Sequence, residues 1–447
     1  MATAVKSIRL EAAQIHDVLR RHMLVDGFHI VPDLRRSRGS YLVDERENKT
    51  YLDFFSNFAS QALGWNHPGL ADAEFRERLL VAALHKPANS DVYTRFFAEF
   101  VATFAELAVP PSHRSHLFFI EGGALAVENA LKAAFDWKVR KNMAKGLPET
   151  VGTQVIHFRQ AFHGRSGYTL SLTNTADPRK TAYFPKFAWP RISNPKVLFP
   201  LAEHLEEVEA AEQRALEEID QAIARYGDDI ACLIIEPIQA EGGDNHFRPE
   251  FLQALRRVAD EHDLLLIFDE VQTGLGLTGT MWAFQGLGVE PDLFSFGKKV
   301  QVGGFAASSR IDQVPDHVFR VSSRINSTWG GNLTDMVRAT RILEIITQDG
   351  LVENARRVGA FLLAGLHQLQ QDFPHLLSQV RGRGLMLAFD LPNPELRKQA
   401  LEACRTAGLL VLPCGERSIR LRPFLDLTQE DAEKGLSLLA QALHRIS

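Results

Sequence analysis

Short apolar runs alternate with longer amphipathic stretches along most of this chain, and few folds accommodate that alternation. The runs have the length and flanking residues of buried strands, and they are His116 to Ile120, Thr153 to Phe158, Ile230 to Pro237, Leu264 to Phe268 and Asp292 to Gly297. The stretches from Ala124 to Lys145 and from Pro249 to Asp263 carry apolar residues at helical spacing. Strands that alternate with helices predict an α/β fold with a mainly parallel sheet.

The pattern changes near Gly350, where a helical stretch leads to closely spaced apolar runs. Those runs are Val380 to Pro392, Leu409 to Cys414 and Ser418 to Leu425. They predict a smaller α+β domain over residues 341–447. A hairpin-like pair from Ser40 to Phe54 lies in the first segment, residues 1–75, which we expect to pack with that domain. Residues 76–340 would form the large domain, because 447 residues exceed one small core.

Charge and cysteine content narrow the classes of protein and of partner. A net charge of -5 gives no electrostatic reason to expect a nucleic acid or an anionic membrane as partner. Residues 1–19 lack the continuous apolar core of a signal peptide, and no apolar run approaches the roughly 18 residues of a membrane span. The sparse cysteines Cys232, Cys404 and Cys414 argue against a disulfide framework and against a metal site. We therefore expect a cytoplasmic protein without a bound metal.

The apolar run from Leu264 to Phe268 ends in two adjacent carboxylates, Asp269 and Glu270. Burying an unpaired carboxylate costs on the order of several kcal/mol, so a partner must meet it. Lys298 follows Gly297 at the end of another predicted strand. A lysine alone is usually a solvated surface group, but this pair fits a pyridoxal phosphate site. There the amine forms a Schiff base, and the carboxylate keeps the pyridine nitrogen protonated. Glu270 would point to the opposite face of the strand.

Two further segments fit such a site. Gly122, Gly123 and Ala124 join a predicted strand directly to a helix, and small residues at a helix N-terminus let backbone N–H groups approach a phosphate. Phe162 offers an aromatic face to a pyridine ring, and Arg165 offers a fork of donors to a carboxylate. Each feature alone has an ordinary explanation: a glycine-rich helix start, a core phenylalanine and a surface ion pair.

A second class of cofactor is suggested by Gly274, Gly276 and Gly279, which spell GxGxxG after a strand. A nicotinamide dinucleotide site needs the first glycine at the strand end and a helix that begins at the last one. Here DEVQT intervenes, and TGTMW is a poor helix start. A loop that uses glycine for its backbone freedom is the favoured interpretation.

The motifs FHGR, EPIQAEGG, FDEVQTG, FGKK, NSTWGGN and RGRGLM follow one another in this order. In that order they resemble the class III, fold-type I, pyridoxal-phosphate-dependent aminotransferases, over about residues 40–440. Within the family, EGGALAVENALKAAFDWK and AFHGRSGYTLSLTNT are similar to the lysine 6-aminotransferase branch. EPIQAEGGDNH and SIRLRP are also similar to 4-aminobutyrate aminotransferases. The resemblance implies a homodimer with shared active sites.

The resemblance also implies a role for each residue that matches a family motif. Lys298 would bond the cofactor and move the proton. Lys299 is its rival, but the lysine of the family follows directly on Gly or Ala, and Gly297 precedes Lys298. Asp269 would pair with the pyridine nitrogen. The other expected cofactor contacts are Gln272 to the ring hydroxyl oxygen, Phe162 to the ring face, Gly123 and Ala124 to the phosphate, and Ser327 and Thr328 to the phosphate of the second subunit. Many family members carry a hydroxyl residue where this chain has Ala124, so that loop would bind phosphate through its backbone.

The family reaction uses two different substrates in one pocket. The resemblance implies that the ε-amino group of L-lysine passes to 2-oxoglutarate by ping-pong kinetics, with 4-aminobutyrate or ornithine as the alternative donor. Arg420 would bind the α-carboxylate of the acceptor, and Glu241 would cover Arg420 while the donor is bound. Arg165 would bind the distal carboxylate. Asn326 or Asn57 would meet the α-ammonium of lysine.

Overall fold

The computed structural model describes residues 8–447. Residues 1–7, which belong to the expected N-terminal segment and to the stretch expected to carry no signal peptide, lie outside the described residues. The strands are β1 Tyr41–Asp44, β2 Lys49–Asp53, β3 His116–Ile120, β4 Gln154–Phe158, β5 Arg191–Ile192, β6 Ile230–Ile235, β7 Ile238–Gln239, β8 Asn245–His246, β9 Leu265–Asp269, β10 Leu293–Phe296, β11 Gly303–Ala307, β12 Ser378–Arg383, β13 Met386–Asp390, β14 Leu409–Leu410, β15 Leu412–Cys414 and β16 Ser418–Leu421.

Helices connect and cover these strands. They are α1 Ile15–Arg20, α2 Ser56–Ala59, α3 Ala73–Ala83, α4 Arg95–Leu107, α5 Gly123–Ala144, α6 Gly167–Leu172, α7 Leu201–Tyr226, α8 Pro249–Glu261, α9 Ala283–Leu287, α10 Leu333–Gln348, α11 Leu351–Asp372, α12 Pro394–Ala407 and α13 Gln429–His444. Short 3-10 turns occupy Ala12–Gln14, Pro68–Ala71, Pro111–His113, Pro178–Lys180, Gly227–Asp229, Lys298–Val300 and Ser309–Gln313. Within residues 8–447, no helix is both long enough and apolar enough to cross a membrane.

The largest sheet has seven strands in the order β3-β11-β10-β9-β6-β4-β5. The strands from β10 to β5 run parallel, and β11 runs antiparallel to both of its neighbours. This arrangement confirms the mainly parallel sheet, and each of the five predicted strands forms within two residues of its expected bounds. Strands β6, β9 and β10 are buried along their whole length, which is why they read as continuous apolar runs.

Helix α8 illustrates how the amphipathic stretches cover this sheet. It begins with Pro249 in its first turn, where the missing N–H costs no helical hydrogen bond. Phe251, Leu252 and Leu255 lie on its buried face and join the core that also contains β6 and β9. Helical spacing of apolar residues thus predicts which face of the helix meets the sheet.

Three smaller sheets lie outside the seven-stranded one, and the smallest is the antiparallel pair β7-β8. The C-terminal region forms an antiparallel sheet in the order β12-β13-β16-β15. The predicted hairpin forms as β1 and β2, and β14 pairs with β2 in parallel, with Leu409 opposite Leu52. The N-terminal segment is therefore joined to the C-terminal region by backbone hydrogen bonds. The division into residues 1–75, 76–340 and 341–447 stays a prediction.

The order of the parallel strands places their carboxyl ends side by side. The loops that follow β4, β6, β9 and β10 therefore start at one edge of the sheet, in the spatial order β10, β9, β6, β4. Ligand sites of open α/β sheets lie at this kind of edge, where side chains from several strands meet. Residues that follow these four strands supply part of the site.

Candidate active site

A cavity of about 810 Å³ opens at the carboxyl edge of the parallel strands. Its walls bring together six of the residues predicted from the sequence: Phe162, Arg165, Glu241, Gln272, Lys298 and Arg420. Phe58, from the N-terminal segment, closes part of the wall. A larger cleft of about 1070 Å³ lies along the C-terminal half of α5 and contains none of the predicted residues.

Lys298 is the half-buried amine of this cavity. It follows β10 in a turn with φ of 47°, and its Nζ atom donates no hydrogen bond to residues 8–447. Burial lowers the pKa of Lys298, the charge of Arg420 lowers it further, and Asp269 and Glu236 oppose part of the effect. An amine with a lowered pKa is more often neutral, which is the form that attacks a carbonyl carbon or accepts a proton.

The neighbouring lysine has a different environment. Lys299 is buried, and its Nζ atom donates to the carbonyl oxygen of Ala59 at 2.8 Å, outside the cavity wall. Burial holds the pKa of Lys299 well below its usual value, and the charges of Arg422 and Lys298 add to that shift. Its contact ties the Lys298 turn to the N-terminal segment. The geometry therefore favours Lys298 of the two, as the glycine before it predicts.

Asp269 ends β9, is buried and does not line the cavity. Its Oδ1 atom accepts from Ser295 Oγ at 3.0 Å and from the backbone N–H of Val271 at 3.1 Å. Its Oδ2 atom lies 2.8 Å from Nδ1 of His163. A carboxylate has about four lone-pair positions, so these three donors leave one for a further N–H group. This carboxyl group can therefore still bind a ring nitrogen, as predicted.

His163 is a site residue that the sequence reasoning missed. Burial lowers its pKa, but the hydrogen bond and charge of Asp269 and the charge of Glu236 outweigh burial, so the pKa of His163 is raised. Burial raises the pKa of Glu236 to about 7, and Glu236 accepts from the backbone N–H of Phe162 at 2.8 Å. His163 stands inside the FHGR motif, but its partner is 106 positions away and no local pattern indicates the pair.

The predicted phosphate loop lies beside the Lys298 turn. Gly122 has φ of 92° and precedes α5, which begins at Gly123 with no side chain capping its N-terminus. A Cβ atom at Gly123 would stand 2.8 Å from the Val271 side chain, and one at Gly297 would stand 3.4 Å from the Gly123 Cα atom. The first N–H groups of α5 lack helical acceptors, so a phosphate beside Lys298 fits them.

Gln272 and Arg420 line the cavity and meet a second arginine, Arg422, which is fully buried and does not line it. Arg420 Nη1 donates to Oε1 of Gln272 at 3.1 Å, and Arg422 Nε donates to the same oxygen at 3.3 Å. Arg422 also pairs with Asp244, whereas the Nε atom of Arg420 is buried without an acceptor. Burial lowers the pKa of Arg420. Arg420 is therefore the arginine that still needs an anionic partner, which is what a carboxylate substrate supplies.

Glu241 lines the same cavity but does not contact Arg420 as the sequence reasoning predicted for the donor complex. Its Oε1 atom accepts from Lys180, and its Oε2 atom is buried without a donor. Arg165 is exposed, while Phe162 is half-buried and stacks on no aromatic ring of residues 8–447. A planar ligand in the cavity would therefore meet no competing aromatic ring on Phe162. Its expected role stays a prediction, as do those of Glu241 and Arg165.

Besides Asp269, Gly123 and Ala124, four further predicted residues lie outside the cavity wall of their own chain. Asn326 and Thr328 are exposed, and Ser327 is half-buried with its hydroxyl accepting from the N–H of Gly330 at 3.1 Å. Asn57 is exposed, and its amide donates to Gln61 at 3.0 Å. The expected contribution of Ser327 and Thr328 to a second subunit, and of Asn326 or Asn57 to the substrate, stays a prediction.

The competing features of the sequence have structural explanations. Glu270 points away from Asp269 as predicted, and it accepts from Thr273 and from the N–H of Phe284. No helix begins at the GxGxxG glycines, because α9 starts only at Ala283. The structure therefore offers no dinucleotide motif in this loop.

Within residues 8–447, one group of side chains has the spacing of metal ligands: His116, Asp312 and His317. Both histidine Nε2 atoms lie 3.1 Å from Oδ1 of Asp312. The N–H of Phe319 donates to Nδ1 of His317 at 3.3 Å, and Nε of Arg320 donates to Nε2 of the same ring at 3.3 Å. Hydrogen bonds therefore account for the group.

Comparison with known proteins decides the family. The sequence profile of aminotransferase class III matches residues 25–443. The chain belongs to the class III aminotransferases. This class III aminotransferase is 54% identical to the L-lysine-epsilon aminotransferase of Mycobacterium tuberculosis, over 99% of both chains. The L-lysine-epsilon aminotransferase of Streptomyces clavuligerus is 50% identical, over 98% of this chain and 96% of its own.

A solved structure matches just as closely. The lysine aminotransferase from M. tuberculosis, in the internal aldimine form, has a TM-score of 0.96 and 53% identity to the chain, with 98% and 100% of the two chains covered. The family confirms the expected fold-type I architecture and the expected cofactor, pyridoxal phosphate. The residues present fit that cofactor. The remaining lone pair of Asp269 fits the ring nitrogen, the N-terminus of α5 fits the phosphate, and the unbonded amine of Lys298 fits the aldehyde.

Proposed function

We propose that the chain transfers the ε-amino group of L-lysine to 2-oxoglutarate, giving 2-aminoadipate 6-semialdehyde and L-glutamate. The observation that carries the choice of lysine is the near full-length likeness, at 54% identity, to relatives named for that reaction. The amine transfer itself is supported by Lys298, whose Nζ atom is unbonded within residues 8–447 and which lines a cavity with four arginines, among them Arg165 and Arg420. Arg165 and Arg420 suit an acceptor with two carboxylates.

The residues of the chain have distinct tasks in this proposal. Bound pyridoxal phosphate supplies an electron sink that makes the hydrogen on the amine-bearing carbon acidic. Lys298 removes that proton from Cε of lysine, because its lowered pKa favours the neutral amine. Lys298 then donates the proton to the cofactor carbon that is bonded to the same nitrogen. Asp269 holds the ring nitrogen, and His163 and Ser295 fix the orientation of Asp269.

The remaining site residues position the cofactor and the substrates. The N–H groups of Gly123 and Ala124 hold the phosphate, Phe162 covers the ring face, and Gln272 contacts the ring hydroxyl oxygen. Arg420 binds the α-carboxylate of the acceptor and Arg165 its distal carboxylate. These roles are supported by the cavity that Phe162, Gln272, Arg165 and Arg420 share, and by the uncapped start of α5.

Two assignments extend beyond one chain. The chain acts as a homodimer in which Ser327 and Thr328 reach the phosphate site of the partner subunit, and Asn326 or Asn57 meets the α-ammonium of lysine. Asn326 and Thr328 are exposed and do not line the cavity of their own chain. This placement supports a contact with the active site of a second copy. The free, buried cysteines Cys232, Cys404 and Cys414 support a cytoplasmic location.

A donor screen tests the proposal. Purified holoenzyme with 2-oxoglutarate receives lysine, ornithine or 4-aminobutyrate, and glutamate and the aldehyde product are quantified. The proposal expects glutamate from lysine together with a six-carbon semialdehyde that cyclises to an imine. Turnover of 4-aminobutyrate or ornithine without turnover of lysine would overturn the donor and keep the cofactor chemistry.

Replacing Lys298 by Ala tests the chemistry itself. We expect turnover to fall by at least about 1000-fold, because the other lysine that lines the cavity, Lys180, is paired with Glu241. Lys186→Ala is the matched control, since Lys186 is exposed and lies outside the cavity wall. A Lys298→Ala variant that retains a near-normal rate would rule out this lysine as the proton carrier.

A further inference from the structure

Lys180 is a charged residue of the cavity that has no part in the proposed reaction so far. It ends the 3-10 turn Pro178–Lys180, and its Nζ atom donates to Oε1 of Glu241. The side chains of the two residues are 31% and 22% exposed, so solvent screens the pair only in part. Lys180, Glu241, Arg420 and Lys298 all line the same cavity.

Glu241 and Arg420, which both line this cavity, each retain an unused bonding position. The Oε2 atom of Glu241 and the Nε atom of Arg420 are both buried without a partner. Burial lowers the pKa of Arg420, and the charge of Glu241 is among those that offset part of the effect. The two groups line one cavity, and Lys180 holds the carboxylate of Glu241 in this structure.

A two-substrate cavity needs Arg420 free in one half of the cycle and covered in the other. If Glu241 left Arg420 without a new partner, a largely buried carboxylate would stand unpaired, at a high cost in free energy. We propose that Lys180 is that partner: a positioning residue that holds Glu241 away from Arg420 and so keeps the arginine open to the acceptor. The inference rests on the proposed function, which assigns Arg420 to the α-carboxylate of 2-oxoglutarate.

The proposal makes Lys180 a determinant of acceptor affinity, although it does not touch the acceptor. Two arrangements of Glu241 compete, one on Lys180 and one on Arg420, and only the first leaves Arg420 able to bind a carboxylate. The apparent dissociation constant of the acceptor equals the intrinsic one divided by the fraction of molecules in the first arrangement. Removing the charge of Lys180 shifts Glu241 to Arg420 and weakens binding.

Equilibrium binding of glutarate measures this effect without turnover. Glutarate has the two carboxylates of 2-oxoglutarate but no carbonyl group, so it cannot accept an amine. Calorimetric titration of the holoenzyme is expected to give a dissociation constant about tenfold higher for Lys180→Met than for the unmodified protein. Lys180→Arg, which keeps the charge, is expected to bind within about twofold of the unmodified protein.

A matched variant separates the switch from a simple change of charge. Arg179 adjoins Lys180, lines the same cavity and pairs with Asp177 rather than with Glu241. Its side chain is 88% exposed. Arg179→Met removes the same charge as Lys180→Met but leaves Glu241 held, so we expect glutarate affinity to change by less than about twofold. An equal loss in both variants would overturn the proposal in favour of a general electrostatic effect.

A double variant shows whether Lys180 acts through Glu241. In Lys180→Met/Glu241→Gln, no carboxylate competes for Arg420, and the net charge of the cavity equals that of the unmodified protein. We expect glutarate affinity to return to within about twofold of the unmodified protein. If the double variant stays as weak as Lys180→Met, Lys180 contacts the ligand directly or supports the loop, and the proposed role is wrong.

Steady-state kinetics give a second readout. Lys180→Met is expected to raise KM for 2-oxoglutarate about tenfold while kcat and KM for lysine change by less than about twofold. A loss of kcat without a change in KM would overturn the inference. Failure of the proposed function is distinguishable, because an unmodified protein that does not use lysine can still show the glutarate pattern expected for Lys180, Glu241 and Arg420.

Discussion

At the scale of single residues, the site depends on side chains that hold other side chains in place. His163 donates to Asp269 and is the contact that fixes the Oδ2 atom of that carboxyl group. We expect His163→Leu to lower kcat/KM by about tenfold to a hundredfold, because a buried hydrogen bond to a charged group is lost. Steady-state kinetics on the purified variant measure the effect.

His163→Asn is the control for this prediction. The amide nitrogen of asparagine can occupy the position of Nδ1 and keep the donor to Asp269, so we expect this variant to stay within about fivefold of the unmodified protein. Loss of the same size in both variants would show that the volume of the ring matters more than its hydrogen bond. A His163→Leu variant as active as the unmodified protein would contradict the role of the pair.

Glu270 makes the stability of the fold depend on pH. Burial raises the pKa of Glu270 to about 7 from its ordinary value of 4.5. Between those two values the folded state binds more protons than the unfolded state, so the contribution of Glu270 to stability falls as the pH rises and is lost above about pH 7. Glu270→Gln resembles the protonated side chain and does not titrate.

We therefore expect the free energy of unfolding of Glu270→Gln, relative to that of the unmodified protein, to increase between pH 5 and pH 8. The increase should reach at most about 3 kcal/mol, the equivalent of the pKa difference. Urea titrations at both pH values measure it, and Glu236 titrates alike in both proteins, so its effect cancels. A difference that does not change with pH would show that Glu270 stays charged in the fold.

Sequence reasoning identified residues that belong to a local motif, and it missed residues whose role depends on a contact with a distant part of the chain. Lys298 was predicted because Gly297 and a strand precede it, and the structure places it in the cavity. His163 and Lys180 were missed because their partners stand 106 and 61 positions away. Only the folded chain brings such pairs together, and no spacing within a strand or helix encodes them.

At the scale of elements, α2 is the most strained part of the cavity wall. Ser56, Asn57, Phe58 and Ala59 all have left-handed backbones, with φ of 40°, 53°, 59° and 62°. Each such residue costs about 1 kcal/mol, and no glycine relieves the strain. The Asp53 carboxylate holds the turn by accepting from the N–H groups of Phe55 and Ser56, both at 2.8 Å, and from Trp65 Nε1 at 3.0 Å.

We expect Asp53→Ala to lower the free energy of unfolding by about 3 kcal/mol, because three hydrogen bonds to a buried side chain are lost. Asp53→Asn should lose roughly half as much, since its oxygen can accept from both backbone N–H groups while its amide meets the donor of Trp65. Urea denaturation followed by fluorescence measures both variants. An Asp53→Ala variant within about 1 kcal/mol of the unmodified protein would show that other contacts hold the turn.

The strands and helices themselves were predictable, whereas this turn was not. The apolar run of β9 and the helical spacing of α8 indicate both the type of element and the buried face. In the sequence SNFA of α2, only Asn57 is a residue type that readily adopts a left-handed backbone. The conformation is set by Asp53, by Lys299 and by the Arg422 carbonyl oxygen, to which Ser56 donates at 2.6 Å.

At the scale of the whole molecule, the site is assembled from three separate parts of the chain. The parallel strands β9 and β10 supply Asp269 and Lys298 from one edge, β16 supplies Arg420, and the N-terminal segment supplies Phe58. Sequence patterns predict the strands, but the size of the cavity depends on how these parts pack. A site built this way can also be shared between two chains, as the proposed dimer requires.

Subunit complementation tests that sharing. A Lys298→Ala chain lacks the proton carrier, and a Ser327→Ala/Thr328→Ala chain lacks the hydroxyl groups proposed to reach the partner. In a mixed dimer, one site carries both defects and the other carries neither. Random exchange of equal amounts makes about half of the dimers mixed, so activity should recover to about a quarter of that of the unmodified protein. Activity is measured at a pyridoxal phosphate concentration that leaves the hydroxyl-deficient variant mostly unloaded.

The two variants kept apart are the controls, and native mass spectrometry with one tagged chain shows that mixed dimers have formed. If the two residues served the site of their own chain, each mixed dimer would carry one defect in each site. Mixing would then give only the average of the two separate activities, and that result, with mixed dimers present, would refute a shared site. Recovery above the average requires that Lys298 and the pair Ser327 and Thr328 come from different chains.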